Sequence, residues 1–192
     1  MRIRDKWRTD RPRSVEDQAS AVAYIIWQIG LSYCKNLHQE EFEYDSDEQR
    51  VGVIREYLIY LCHATDRLAY DRLGENQRLE VLPRLVHQVA RHYQRNTEEV
   101  LGPGNYQTDF IALANRRFAS YAKGAFEEGL PGYSARRLLG NTIQEIMGMS
   151  QQNKWVVQQV IDIDAPEAAE LLLKSARKLL VPLEQPVSPK AS

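Results

Sequence analysis

Apolar residues recur along this chain at the spacing of an amphipathic helix, in segments separated by glycine, proline and Asp/Ser clusters. Runs that alternate apolar and polar residues, which would indicate half-buried strands, are nearly absent. The segments predict six or seven helices, over 14–39, 47–73, 75–96, 108–128, 134–147, 155–161 and 166–180. Short links between them favour an all-α bundle in which most neighbouring helices are antiparallel.

The length of 192 residues suits one domain with a substantial core. With 43% hydrophobic and 27% charged residues, the composition is that of a globular protein in water rather than a disordered chain. We expect a basic N-terminal arm over residues 1–13, the helical-bundle domain over 14–181 and a disordered, proline-containing tail over 182–192.

The arm carries six cations and two anions around Trp7, a local charge of +4. Such a segment favours contact with phosphates or RNA bases, or with the acidic surface of a protein partner. The whole chain has a formal net charge of only −1, so it has no general attraction to nucleic acid. One-domain helical regulators also open with a helix-turn-helix of short helices, whereas here a long apolar helix follows the arm. Nucleic-acid binding through the arm is therefore the third of our hypotheses.

The most apolar stretch, residues 21–31, is too short to span a bilayer, and Gln28 interrupts it. A signal peptide would need a leader without acidic residues, but four acidic residues precede this stretch. We therefore expect a cytoplasmic protein without a membrane segment.

The first predicted helix is apolar over more of its circumference than a single core-facing stripe requires. Tyr24, Trp27 and Leu31 contribute to this breadth, and aromatic residues with a polar tip suit interfaces because they bury area while keeping a hydrogen bond. The pattern predicts an interface at these three residues, and we expect a homodimer.

The second predicted helix carries a polar face opposite its apolar stripe. At about 100° per residue, a sector of roughly 80° holds a carboxylate, two phenols, an imidazole and a guanidinium, from Glu56, Tyr60, His63, Arg67 and Tyr70. These groups could bind an anion or form an acid–base pair. The alternative is a solvated face whose residues pair locally, since Glu56 and Tyr60, like His63 and Arg67, are four residues apart.

Metal binding has a weaker basis in the sequence. Cys34 and Cys62 lack metal-finger spacing and fall in apolar patterns, which predicts buried free thiols; a disulfide between them would depend on geometry. The Glu-x-x-His motif of di-iron bundles does not occur. A site from His63, Asp66 and His92 would form only if the second and third helices meet there.

Two cations, Arg136 and Arg137, stand near the start of the fifth predicted helix, where the helix dipole disfavours positive charge. We expect a nearby acidic side chain, Glu127 or Glu128, to balance them. An anionic ligand or partner is the alternative.

The sequence contains no nucleophile elbow, phosphate-binding glycine loop or dinucleotide fingerprint. It therefore nominates no cofactor and no catalytic residue, and it leaves open whether the protein is an enzyme. Our first hypothesis is a non-enzymatic protein that acts through protein–protein contacts and self-associates. The second is a small-ligand or metal-binding bundle with a polar site on the second helix, and the third is nucleic-acid binding through the arm.

Overall fold

The structure, a computed structural model, describes residues 14–183; the arm and residues 184–192 lie outside this range. The prediction of an all-α helical bundle is confirmed. The helices are α1 Val15–Gln39, α2 Asp47–Arg72, α3 Glu75–Leu101, α4 Tyr106–Tyr121, α5 Tyr133–Met147, α6 Val156–Gln159 and α7 Ala165–Ala176. A π-helical turn, Val160–Asp164, joins α6 to α7, and a small hairpin pairs β1 Phe126–Glu127 with β2 Leu130–Pro131.

Two serines begin the first two helices where the sequence predicts. The hydroxyl of Ser14 accepts the backbone N–H of Asp17 at 3.1 Å, and the Asp17 carboxylate accepts the N–H of Ser14 at 3.0 Å. Ser46 caps α2 by accepting the N–H of Gln49 at 3.3 Å. These bonds satisfy N–H groups that have no partner within the helix, and so they fix each start.

Helix α2 is the centre of the bundle. It packs against α1, α3, α4, α5, α7 and β2, and it is buried over most of its circumference. Helix α1 packs against α2, α3 and α7, which accounts for its broad apolar surface. That surface is therefore largely used inside the protomer.

Two of the three residues of the predicted interface on α1 pack inside the protomer. Trp27 is only 9% exposed and stacks on His92 of α3, with the ring centroids 5.9 Å apart. Leu31 is half-buried against the core, and only Tyr24, at 56% exposure, presents a largely free side chain. Packing within one protomer explains the apolar breadth from which the homodimer was inferred.

Several predicted boundaries are wrong. Helix α3 continues to Leu101 rather than 96, with Pro83 inside it. Helix α4 ends at Tyr121 rather than at 128, because the chain turns into the hairpin, where Glu128 and Gly129 adopt positive φ values of 52° and 83°. Helix α7 ends at Ala176 rather than at 180.

The predicted break before residue 166 is also wrong, because the chain stays helical there. Pro166 has no N–H to donate, and the backbone N–H of Ala165 bonds to the carbonyl of Val160, five residues back. This wider turn accommodates the proline without ending the helix. Asp164, just before α7, makes no capping hydrogen bond and is buried.

The segment after α7 is held against the first three helices. Arg72 donates to the carbonyl of Leu180 at 3.0 Å, and Gln18 donates to that of Val181 at 2.7 Å. Gln77 also donates to Val181, and it accepts the N–H of Leu183 at 3.0 Å. Residues 182 and 183, assigned to the tail from the sequence, are therefore attached to the bundle, while the rest of the predicted tail lies outside the described residues.

Two further sequence predictions concern the described residues. Cys34 and Cys62 are free and buried, as expected. Within residues 14–183, no helix combines the length and the hydropathy needed to cross a membrane.

Candidate functional site

The polar face of α2 is largely inside the protein. Glu56 and Tyr60 are fully buried and His63 is 8% exposed, whereas Arg67 is half-buried and Tyr70 is 59% exposed. The interpretation of a solvated face is therefore wrong for its first three members. Helix α4 and the hairpin supply the residues that cover them.

Glu56 forms an ion pair with Arg117 of α4. The guanidinium Nε and Nη2 atoms lie 2.9 Å and 3.3 Å from the two carboxylate oxygens, and Nη2 of Arg55 lies 3.9 Å from Oε1. A bidentate pair of this kind fixes orientation as well as charge. The pair holds α4 against α2. Because Arg117 binds both oxygens of Glu56, this carboxylate is not free for the acid–base chemistry considered from the sequence.

Tyr60 contacts two neighbours of different kinds. Its hydroxyl donates to the carbonyl of Ala165 at 3.2 Å, and its ring meets that of Tyr121 edge to face. Burial raises the pKa of Tyr60, so the phenol stays protonated. Its role in this arrangement is to join α2 to α7.

Arg67 and Tyr70 are engaged with each other. The Arg67 guanidinium lies 5.1 Å from the centre of the Tyr70 ring and 3.3 Å from the carboxylate of Asp71. It also lies over Phe126 of the hairpin. Arg67 is therefore not the free anion clamp that the helical projection suggested.

Two members of the face keep unused polar capacity within residues 14–183: the buried Nε of Arg67, which has no hydrogen-bond partner, and the imidazole of His63. Tyr121 stacks on its ring at 5.0 Å between centroids, and Phe126 packs against it at 5.1 Å. Within residues 14–183, no group forms a hydrogen bond with either of its ring nitrogens. Burial lowers the pKa of His63, so the imidazole is neutral near pH 7 and offers one donor and one acceptor.

A groove of about 450 Å³ opens above His63 between α2, α3 and α4; we call it the His63 groove. Apolar side chains form most of its walls: Leu82, Pro83 and Val86 from α3, and Ile111, Phe118 and Ala122 from α4 and its end. The polar groups that line it are few: Cys62, His63, Asp66, His87 and Asn115. A mostly apolar cleft of this size with a few convergent polar groups is typical of small-molecule sites.

The carboxylate at the edge of the groove is neutralised. Asp66 accepts from Arg78 at 2.8 Å and 2.7 Å, and Arg78 also reaches Glu75 at 3.3 Å. Burial raises the pKa of Cys62, so its thiol stays protonated. The groove thus combines apolar walls, a neutral imidazole and a compensated charge.

The structure does not bring the predicted metal ligands together. His92 stacks on Trp27, on the side of α3 that faces α1, whereas His63 packs against Tyr121 and Phe126. Within residues 14–183, no three His, Cys, Asp or Glu side chains are grouped closely enough to hold a metal ion.

A larger cleft of about 920 Å³ lies between α1, the start of α2 and the end of α3. Its buried polar groups already have partners: Cys34 lies 3.3 Å from the hydroxyl of Tyr44, which donates to the Cys34 carbonyl at 2.8 Å. At its entrance, Arg50 pairs with Asp47 at 2.6 Å. The cleft therefore lacks the unused buried polar group that distinguishes the His63 groove.

Sequence reasoning missed a buried carboxylate on the π-helical turn. Asp164 is fully buried and accepts hydrogen bonds from Tyr57 at 2.8 Å, Gln159 at 3.0 Å and Asn36 at 3.2 Å. Burial raises its pKa, and these hydrogen bonds oppose that shift only in part. No local pattern revealed it, since an aspartate two residues before a proline looks like a helix cap.

The cation near the start of α5 is balanced as expected. Arg136 pairs with Glu127 at 3.1 Å, and Glu127 also accepts the backbone N–H of Tyr133 at 3.0 Å. One carboxylate thus neutralises the arginine and accepts a backbone N–H that has no partner within α5.

Comparisons with known proteins give no relative from which a function can be transferred. No protein-family model, no curated protein and no solved structure matches this chain.

Proposed function

We propose that this protein binds a small, uncharged and mainly apolar ligand in the His63 groove. The observation that carries the proposal is His63: the side chain is more than nine-tenths buried, borders the groove and has no hydrogen-bond partner within residues 14–183. A hydrogen bond from a ligand to the imidazole would contribute about 0.5–1.5 kcal/mol to binding.

The lining indicates the chemistry of the ligand. Leu82, Val86, Ile111 and Phe118 favour an aliphatic or aromatic body. The charge of Asp66 is compensated by Arg78, and His63 is neutral, so the groove offers no strong attraction to either an anion or a cation. We therefore expect an uncharged molecule with a hydrogen-bonding group near His63.

N-phenyl-1-naphthylamine is a suitable probe, because it is uncharged, mostly aromatic and has one N–H group. We expect its fluorescence to rise on saturable binding to the wild-type chain. His63→Ala should weaken the affinity about 3- to 10-fold, as one hydrogen bond is worth about 0.5–1.5 kcal/mol. The matched control is His38→Ala, which lies in the other cleft and should leave the affinity unchanged.

A second variant tests the location without removing the imidazole. Val86→Trp places a large ring on the α3 wall and should abolish probe binding, whereas Leu171→Trp adds the same ring at an exposed position on α7 and should not. Equal binding by the two variants, or no saturable binding by the wild type, would overturn the proposal.

Self-association remains a prediction with less support than it had from the sequence. Tyr24 is exposed, but the packing of Trp27 inside the protomer removes the centre of the expected interface. Light scattering across a range of concentrations tests it. A molar mass equal to that of one chain at every concentration would refute the homodimer prediction. A dimer that Tyr24→Ser dissociates would support it.

A further inference from the structure

The His63 groove adjoins a second, more polar cavity. This shallow depression of about 470 Å³ lies along α3 and reaches Glu16 on α1 and Gln107 on α4. Pro83 and His87 line both cavities, so the two meet along α3. We infer that the ligand is amphiphilic: its apolar body lies in the groove, and an uncharged, hydroxyl-rich headgroup, such as a sugar, lies in the depression. This ligand class rests on the proposed function of the groove.

Helix α3 presents a different surface to each cavity. Leu82 and Val86 line the groove, whereas the depression is lined by side chains that are mostly polar or charged. Pro83 and His87 lie between the two surfaces. A molecule that crosses α3 at these two residues therefore meets apolar walls on one side and hydrogen-bonding groups on the other, as the two ends of an amphiphile require.

The charges around the depression cancel. Its lining carries two carboxylates and two guanidiniums, from Glu16, Glu80, Arg84 and Arg91. Arg84 lies 3.5 Å from Glu80 and 3.8 Å from Glu16, so both carboxylates already have a cation nearby. An ionic headgroup would meet a like charge close to each opposite one, whereas an uncharged headgroup meets no repulsion. The lining therefore favours an uncharged group.

Three polar side chains of the depression keep unused hydrogen-bonding capacity: His87, Arg91 and Gln107. Among residues 14–183, none of these side chains forms a hydrogen bond or an ion pair. The Arg91 guanidinium offers donors, and the Gln107 amide offers both donors and an acceptor. A hydroxyl donates and accepts as well, so a ring with several hydroxyls suits this mixed set.

Pro83 adds a backbone acceptor at the same place. Proline has no N–H, so within α3 it cannot donate to the carbonyl of Leu79, four residues back. Leu79 lines the depression, and its side chain is 60% exposed. The helix thus leaves one carbonyl without its usual partner at a residue of the depression, and a ligand hydroxyl can donate to it.

Resveratrol and its monoglucoside polydatin test the headgroup, because both are uncharged aromatic molecules with free phenols and only polydatin carries a sugar. We expect both to displace N-phenyl-1-naphthylamine from the wild-type chain. Polydatin should bind about tenfold more tightly, as two hydrogen bonds of modest strength would give. Hydrophobicity alone gives the opposite order, because the sugar hydroxyls favour water.

Variants of the depression test which residues bind the sugar. Arg91→Met and Gln107→Ala should each weaken polydatin binding about 3- to 10-fold and leave the affinity for resveratrol unchanged. The matched control is Arg95→Met, an exposed cation one turn further along α3 and outside the lining of the depression, which should change neither affinity. His63→Ala should weaken the binding of both ligands by the same factor, because it removes a contact that they share.

The outcomes separate the headgroup from the function of the groove. Equal affinities for the two ligands, or a preference for polydatin that both Arg91→Met and Gln107→Ala leave intact, would overturn the headgroup but not ligand binding in the groove. Saturable binding of neither ligand nor of N-phenyl-1-naphthylamine would overturn the proposed function and the ligand class with it. Polydatin binding that Val86→Trp leaves intact would show that the depression holds the sugar alone, and would overturn the amphiphilic ligand.

Discussion

The ion pair between Glu56 and Arg117 provides a quantitative test of how α4 is held over the polar face. We expect Arg117→Met to destabilise the chain strongly, because it leaves the Glu56 carboxylate, 1% exposed, without its bidentate partner. Breaking a buried pair by removing one member costs about 3–5 kcal/mol. Arg55 lies 3.9 Å from Glu56 and offsets part of the loss, so we expect a value near 3 kcal/mol.

Urea unfolding followed by circular dichroism measures this loss. In a thermal unfolding experiment on a chain of this length, a loss of about 3 kcal/mol corresponds to a fall in Tm of about 6–12 °C. The matched control is Arg116→Met, the exposed neighbour on α4, which should change the free energy of unfolding by less than about 0.5 kcal/mol. Equal effects of the two substitutions would refute the assignment of this stability to the pair.

A double variant separates the two possible origins of the penalty. Glu56→Leu in the Arg117→Met background removes the uncompensated charge and replaces the pair by apolar side chains, which is often neutral for stability. We therefore expect most of the lost stability to return. A double variant as unstable as Arg117→Met would show that lost packing, rather than an orphaned carboxylate, causes the effect.

Two further predictions concern buried polar groups outside the groove. Burial raises the pKa of Asp164, so the folded chain binds this proton more tightly than the unfolded chain and loses stability as pH rises through the folded pKa. Calorimetry should therefore find Asp164→Asn at least as stable as the wild type at neutral pH, with any difference shrinking as pH falls; a less stable variant at neutral pH would contradict this. Asn153 bonds to both backbone groups of Glu43, each at 3.0 Å, and to the carbonyl of Met147 at 3.1 Å. Asn153→Ala should thus lower the free energy of unfolding by about 2–3 kcal/mol in urea titrations, and a loss no larger than that of exposed Asn141→Ala would argue against it.

The helices were predictable because their signals are local. The apolar period, the serines at 14 and 46 and the Gly/Pro breaks each act within a few residues, and they located most helix starts. The errors arose where distant packing decides the outcome. The chain stays helical through Pro166 because a π-helical turn accommodates it, a feature that no rule of local spacing predicts.

The candidate site was predictable only in part. Helical projection grouped Glu56, Tyr60 and His63 on one face, but it gave no information about what covers that face. The residues that cover this face, Tyr121 and Phe126 among them, are distant from it in sequence. The same holds for Asp164, whose partners Tyr57 and Asn36 lie 107 and 128 positions away.

Ligand binding in the His63 groove is best tested by ¹⁵N NMR of the His63 ring nitrogens during titration with N-phenyl-1-naphthylamine. We expect these two signals to shift and to saturate at one probe per chain, at a pH where the imidazole is neutral, while those of His38 stay in place. Saturable probe binding that leaves the His63 nitrogen signals unmoved would place the ligand outside the groove and refute the proposed function.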